Sequence, residues 1–178
     1  MTPEPAARNA PRRAAAKLGD VETIARLVAE WKRAGQRVVL ANGVFDLLHV
    51  GHVRYLRDAR AQGDRLVVGV NGDAATATLK GAGRPVLPAT ERAVLVASLA
   101  CVDAVVVFED ATADALLERL APDAHAKGTD YRVDSVPERS TAQSRGIETV
   151  ITGDPKQHST RELVERIRAR LAAGRDRS

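Results

Sequence analysis

The chain has 178 residues and a mass of 19.0 kDa, a size that predicts a single domain. Apolar residues make up 44% and charged residues 28%, which excludes a disordered or collagen-like central region. The formal charge of +4 belongs to the ends: residues 1–20 contribute +2, residues 161–178 contribute +3, and the part between them carries −1. Since the chain also has few aromatic residues, the composition argues against a nucleic-acid-binding face.

Cysteine content and hydropathy narrow the class further. The lone Cys101 excludes an internal disulfide and a zinc site with several cysteines, and it favours a reducing compartment. No apolar run approaches the length that spans a membrane, and residues 1–20 lack a hydrophobic signal core. We therefore expect a cytoplasmic protein that binds neither membrane nor nucleic acid.

The chain is predicted to begin with a disordered tail over residues 1–19, because this stretch is rich in Ala, Pro and Arg and shows no apolar period. One domain follows over residues 20–173, and residues 174–178 form a second tail. Asp20 is suited to cap the first helix, residues 21–34, whose apolar face includes Trp31.

Short apolar runs then alternate with helical patterns. Strands are predicted at residues 37–42, 66–70, 104–108, 123–127 and 147–151. Helices are predicted at residues 49–61, 74–79, 88–100, 114–120 and 137–145, and from Ser159 onward. This alternation predicts an α/β fold, a Rossmann-like doubly wound five-stranded parallel sheet. Ligands bind such sheets beyond the carboxyl ends of the strands, so we expect the site in the loops after Asn42, Val70, Lys127 and Ile151.

The loop after the first strand has the residues of an anion site. Backbone amides at a helix N-terminus attract a phosphate, and His49 and His52, three residues apart, can both reach one phosphoryl group. Gly51 between them allows close approach to the backbone, and we expect Gly43 to permit a sharp exit from the strand. An isolated histidine pair of this spacing is also compatible with two surface residues of a helix. A zinc site is less favoured, because His125 and His158 fall in no ligand pattern with the pair.

The pattern Gly43-x-Phe45-Asp46-x-x-His49-x-Gly51-His52 resembles the signature of the cytidylyltransferase-like nucleotidyltransferases, whose HxGH element binds a nucleoside triphosphate. The resemblance implies catalytic roles for His49 and His52. It also implies that the nucleotide is bound by Asn42, Gly43, Phe45, Asp46 and Gly51. We treat Asp46 as an orienting residue, with a contact to a metal or a role in fixing the loop as alternatives.

Basic residues after the second strand extend the resemblance. In the family, the lysine and arginines of this region contact phosphates of the nucleotide or of the acceptor. We therefore expect Lys80 to be catalytic and Arg84 and Arg92 to bind the substrate. The alternatives are a loop charge at Arg84 and a surface position on a helix at Arg92.

The stretch from Pro122 to Tyr131 resembles the sequence PDxxxKGxDY of the heptose-phosphate adenylyltransferase branch. It implies that Lys127 and Gly128 bind the nucleotide and that Asp130 and Tyr131 bind the substrate, although these last two could simply cap a turn.

The start of the last helix supplies the final element. Ser159 and Thr160 correspond to the family's triphosphate-binding pair, and both also suit a helix N-terminus. The family pattern reads Ser-Thr-Thr, whereas Arg161 occupies the third position here, which puts the detailed phosphate contacts in question.

Taken with the motifs, the resemblance implies transfer of AMP from ATP to a sugar 1-phosphate, D-glycero-β-D-manno-heptose 1-phosphate, with Mg²⁺ bridging the triphosphate and no metal site made by the protein alone. Two alternatives stay open: a cytidylyltransferase acting on glycerol 3-phosphate or another alcohol phosphate, and a nucleotide-binding protein without catalysis. In many relatives this domain is fused to a sugar kinase, and because 178 residues leave no room for one, we expect the kinase to be a separate protein. Members of the family are commonly dimers, so the resemblance also implies a homodimer. The helix face with Trp31 is a candidate for the dimer interface or for covering the sheet.

Overall fold

The computed structural model describes residues 14–154 and 160–175 and is built around one parallel sheet. Its strands are β1 (Val38–Gly43), β2 (Arg65–Asn71), β3 (Ala104–Phe108), β4 (Ala124–Gly128) and β5 (Glu148–Thr152). They lie in the order β3-β2-β1-β4-β5, and every pair is parallel. The predicted five-stranded doubly wound sheet is confirmed, and its strand order reverses between β1 and β4.

Helices connect the strands on both faces of the sheet. They are α1 (Val21–Arg33), α2 (Val50–Arg60), α3 (Asp73–Lys80), α4 (Ala89–Ala97), α5 (Asp114–Leu120), α6 (Arg139–Ser144) and α7 (Thr160–Arg175). Short 3-10 helices occupy Ala14–Lys17 and Val133–Ser135. Each predicted helix is present within a few residues of its expected bounds, and α7 continues two residues past the predicted end of the domain. No helix in these ranges is long and apolar enough to cross a membrane.

The strands are apolar on both faces because helices cover both. In β1 the side chains of Val38 and Leu40 join the core layer beneath α1 and α5, whereas Val39 and Ala41 join the layer beneath α2 and α4. All four are fully buried. This explains why the strands are continuous apolar runs rather than alternating ones.

Helix α1 covers the sheet. The Asp20 carboxylate caps it by accepting a hydrogen bond from the Thr23 amide at 2.7 Å. Trp31 is buried in the layer beneath α1, and the Arg65 guanidinium lies 5.2 Å from its ring centroid. Of the two roles considered for this apolar face, the structure shows that it packs against the sheet.

The predicted tail over residues 1–19 is wrong for residues 14–19. Leu18 pairs with Val105 of β3 as a short parallel bridge, and the Gly19 amide donates to the Val105 carbonyl at 3.1 Å. The Lys17 ammonium donates to the Leu99 carbonyl at 3.0 Å. Backbone pairing at a sheet edge needs no apolar period, so composition did not predict this attachment.

Candidate active site

The two motif histidines lie side by side where α2 begins. Their ring centroids are 3.9 Å apart at an interplanar angle of 21°, and the His49 amide is 3.4 Å from Nδ1 of His52, to which it donates. Because α2 spans Val50–Arg60, both rings lie at the positive end of its dipole. The arrangement places two imidazoles beside the amides at the N-terminus of one helix.

The chain turns between β1 and α2 at Phe45 and Leu47, which have φ of 52° and 50°. Gly43, which we expected to permit a sharp exit from the strand, is the last residue of β1, and the positive φ values of the turn belong to the residues after it. A Cβ at Gly43 would lie 3.3 Å from the Phe45 ring, so glycine leaves room for that ring. The ring in turn meets His52 edge-on, with centroids 5.4 Å apart.

Burial makes His52 a neutral imidazole in this structure. Desolvation is the largest effect and repulsion from His49 the next, and together they lower the pKa of His52 to about 4. The Asp46 carboxylate has a smaller, opposing effect. At neutral pH the ring is therefore a hydrogen-bond donor rather than a cation. A phosphoryl anion bound beside it favours the protonated form and raises that pKa.

Asp46 ties the histidine loop to the loop before α4. Its carboxylate is almost fully buried and accepts from the amides of Val86 and Leu87 at 2.9 and 3.1 Å. It also forms an ion pair with Nε of Arg84 at 2.8 Å. Of the alternatives considered for Asp46, this geometry supports the one in which it fixes the loop. Thr160 at the start of α7 donates to the Asp46 carbonyl at 2.9 Å, so the two segments expected to bind triphosphate are in contact.

Arg92 is fully buried, which contradicts a surface position on α4. Its guanidinium donates to the carbonyls of Val44 and Leu87 and to the Asp73 carboxylate, the last two at 2.9 and 2.7 Å. The side chain therefore joins three segments around the site and is not presented to a ligand. The carboxylate partner of Arg92, Asp73, was not among the predicted site residues, and it also accepts a hydrogen bond from the Ala89 amide at 2.8 Å.

At the carboxyl end of β4, Lys127 is buried within a polar cluster. Its ammonium lies 3.1 Å from Oδ1 of Asn42 and 3.1 and 2.9 Å from the two carboxylate oxygens of Glu138. His125 Nε2 lies 2.9 Å from the same Asn42 oxygen. Burial raises the pKa of Glu138, but the charge and hydrogen bond of the Lys127 ammonium and the hydrogen bond from the Ala113 amide together outweigh burial, so the pKa falls below its usual value.

The turn after β4 contains Asp130 and Tyr131, the two residues expected to bind the acceptor substrate. The Tyr131 amide donates to the Gly128 carbonyl at 3.0 Å, and the half-exposed Tyr131 ring lies 5.2 Å from the Lys127 ammonium. Asp130 is exposed on the same turn. These two residues can therefore form the turn and still face a ligand, so the two predicted roles are compatible.

Two predicted site residues are not joined to this arrangement. Lys80 is exposed at the end of α3, and within residues 14–154 and 160–175 it makes no hydrogen bond or ion pair. Ser159 lies outside the described residues. In the same ranges no group of three or more His, Cys, Asp or Glu side chains could hold a metal ion.

Sequence reasoning missed Glu138, Asp73 and Tyr55. The Tyr55 hydroxyl donates to the Ala126 carbonyl at 2.7 Å and so fixes α2 against β4. Nothing in the spacing distinguishes Glu138 or Asp73 from ordinary acids at the start of a helix. His125 could have been found, because it is two residues from Lys127 in a strand and must share its face.

Comparison with known proteins agrees with this geometry. The sequence profile described as cytidylyltransferase-like matches residues 40–166, which include both histidines, Lys127 and Thr160. The chain belongs to the cytidylyltransferase-like family. The predicted family membership is confirmed, and so is the prediction that the protein is a nucleotidyltransferase.

Individual members of the family are similar over most of the chain. The bifunctional protein HldE of Mesorhizobium japonicum is 47% identical over 150 residues, covering 84% of this chain and 30% of that protein. HldE of Geobacter sulfurreducens is 43% identical, covering 85% and 31%. The chain thus spans about a third of the length of these relatives. A lipopolysaccharide core biosynthesis protein of Thermoplasma volcanium has a similar structure, with a TM-score of 0.60 and 30% identity over 68% of this chain and 100% of that one.

Proposed function

We propose that this cytidylyltransferase-like protein transfers AMP from ATP to a sugar 1-phosphate, D-glycero-β-D-manno-heptose 1-phosphate, releasing pyrophosphate. The observation that carries the proposal is the stacked pair His49 and His52 at the start of α2, joined through Asp46 to Thr160 of α7. This arrangement supports a triphosphate site at the carboxyl end of β1, where the ligand would meet helix amides.

In the proposed reaction an oxygen of the sugar phosphate attacks the α-phosphorus of ATP. A new phosphorus–oxygen bond forms as the bond to the β-phosphate bridging oxygen breaks, and the electron pair leaves with pyrophosphate. The nucleophile is already anionic, so the protein has to align it and stabilise charge on the α-phosphoryl oxygens. We assign this role to His49 and His52, assisted by the amides at the start of α2, by Thr160 and by the exposed Lys80 side chain.

Other parts of the site hold these groups in place or receive the acceptor. Asp46 and Arg84 fix the histidine loop to the loop before α4. The turn at Asp130 and Tyr131 is exposed, and we assign it to the acceptor. Mg²⁺ would enter with the triphosphate, whose oxygens are its ligands, and would stabilise the leaving pyrophosphate.

The choice of heptose over another acceptor is supported by the Lys127 to Tyr131 segment and by the similarity to HldE proteins. CTP with glycerol 3-phosphate is the second candidate, favoured by the description of the matching family. The sugar 1-phosphate would be supplied by a kinase activity outside these 178 residues. A homodimer and a cytoplasmic location accord with the proposed reaction.

The decisive assay is magnesium-dependent pyrophosphate release. ATP and CTP are each tested with heptose 1-phosphate and with glycerol 3-phosphate, using the wild type and His52→Ala. Glu22→Gln on the outer face of α1 is the control. We expect turnover with ATP and the heptose, reduced about 100-fold or more in His52→Ala because one preorganised donor is lost. Turnover only with CTP and glycerol phosphate would replace the proposed substrate pair, and nucleotide binding without release from any pair would refute catalysis.

A further inference from the structure

A buried polar cluster lies on the sheet face opposite α2. Asn42 and Leu40 share one side of β1, and Leu40 is in register with His125 of β4, so Asn42, His125 and Lys127 point to the same face. Glu138 closes the cluster from the residue before α6. The cluster reaches the carboxyl end of β1, directly beside Gly43 and the histidine loop.

The charges in this cluster compensate each other. Lys127 is 6% exposed and Glu138 is 2% exposed, so neither charge is stable there without the other. One Glu138 oxygen also accepts from the Ala113 amide at 3.0 Å, which fixes the carboxylate to the start of α5. The Lys127 ammonium is consequently bound to the protein and is not available as a free charge for a phosphate.

The cluster determines which way the Asn42 amide points. A lysine ammonium has only donors, so the Asn42 atom 3.1 Å from it is the oxygen. Burial, followed by the nearby Lys127 charge, lowers the pKa of His125 to about 4, so the ring is neutral and donates from Nε2 to that oxygen. Both N–H groups of Asn42 Nδ2 are left over, and within the described residues they meet no acceptor. Asn42 is partly exposed, so Nδ2 has access to a ligand.

We propose that Glu138 is a positioning residue: through Lys127 it holds the Asn42 amide with Nδ2 directed to a phosphoryl or base oxygen of the bound nucleotide. The proposal rests on the proposed function for the identity of the ligand. It assigns Lys127 an indirect role, in place of the direct nucleotide contact that the family resemblance implies.

Calorimetric titration with magnesium and ATP, without acceptor, tests the coupling. We expect Asn42→Ala and Glu138→Gln each to weaken binding about tenfold, which corresponds to one hydrogen bond to a charged ligand. The double variant should bind no more weakly than Asn42→Ala alone, because both changes remove the same contact. Glu22→Gln, in an exposed pair with Arg119, is the matched control and should bind like the wild type. Additive losses near 100-fold, or wild-type affinity in Glu138→Gln, would overturn the proposal.

A second measurement needs no ligand. In the free protein, NMR signals of the Asn42 side-chain NH₂ should show a rigid amide that becomes mobile in Glu138→Gln and stays rigid in Glu22→Gln. An amide equally rigid in Glu138→Gln would overturn the positioning role. If Glu138→Gln does not fold, Glu138→Asp serves in both experiments. A wild type that binds no nucleotide would refute the proposed function, and the NMR result would then decide the positioning role alone.

Discussion

Replacing Asp46 by asparagine should destabilise the protein more than its small change in shape suggests. The Asp46 carboxylate is 1% exposed and binds two backbone amides and the Arg84 guanidinium. An asparagine of the same size has one acceptor oxygen, so one buried amide loses its partner and Arg84 loses its counter-ion. An unsatisfied buried group costs about 1–3 kcal/mol, and breaking a buried ion pair costs about 3–5 kcal/mol. Because the Arg84 side chain is 20% exposed, we expect the lower end, about 3 kcal/mol.

Urea denaturation measures this free energy directly. Trp31 is the only tryptophan of the chain and is buried, so its fluorescence reports unfolding. A loss of about 3 kcal/mol corresponds to a melting temperature lower by about 6–12 °C in a domain of this size. Asp134→Asn is the control, because Asp134 makes an exposed pair with Arg132 at 3.6 Å. If Asp46→Asn is as stable as Asp134→Asn, the carboxylate does not hold the two loops together.

Three further predictions concern stability. The pKa of His52 is about 4 in the folded protein against 6.5 ordinarily, so the unfolded chain binds more protons between these values and stability falls as pH drops from 6.5 to 4. His52→Gln should flatten the slope of unfolding free energy against pH by up to about 1.4 kcal/mol per unit, and parallel slopes in urea denaturation would contradict this. Gly69→Ala should lower the free energy of unfolding by about 1–3 kcal/mol, because the added Cβ would lie 2.7 Å from Leu116 in the core. Gly128→Ala is the control and should be near neutral, because no atom lies within 4 Å of the added Cβ. Equal melting temperatures of the two variants would contradict the packing argument. Arg92→Lys should cost about 2 kcal/mol or more, because the single nitrogen of a lysine cannot reach the three separate positions at which the three guanidinium nitrogens donate. Unchanged thermal stability would show that those contacts contribute little.

Most of the fold followed from local pattern. Apolar runs such as Val38 to Ala41 and helix signals such as Asp20 act between near neighbours in the chain, so strand and helix types were predictable. The attachment of residues 14–19 was not predictable, because it depends on backbone pairing with β3.

The sequence predicted which residues belong to the site better than it predicted what each of them does. The motif spacing placed His49 and His52 together, and the structure stacks them. The sequence could not show that Arg92 and Lys127 are buried, since the charge of a side chain is local but its solvent exposure depends on the surrounding fold.

By itself, then, the sequence determined the alternation of strands and helices and a histidine motif at the end of the first strand, because spacing along the chain suffices for both. Only the tertiary structure decided which polar groups are bound to each other. The two amides that the Asp46 carboxylate binds lie 40 and 41 residues away in sequence, and Thr160 contacts Asp46 across 114 residues. Such contacts arise when the fold brings distant segments to one sheet edge, where burial makes each charge require a partner.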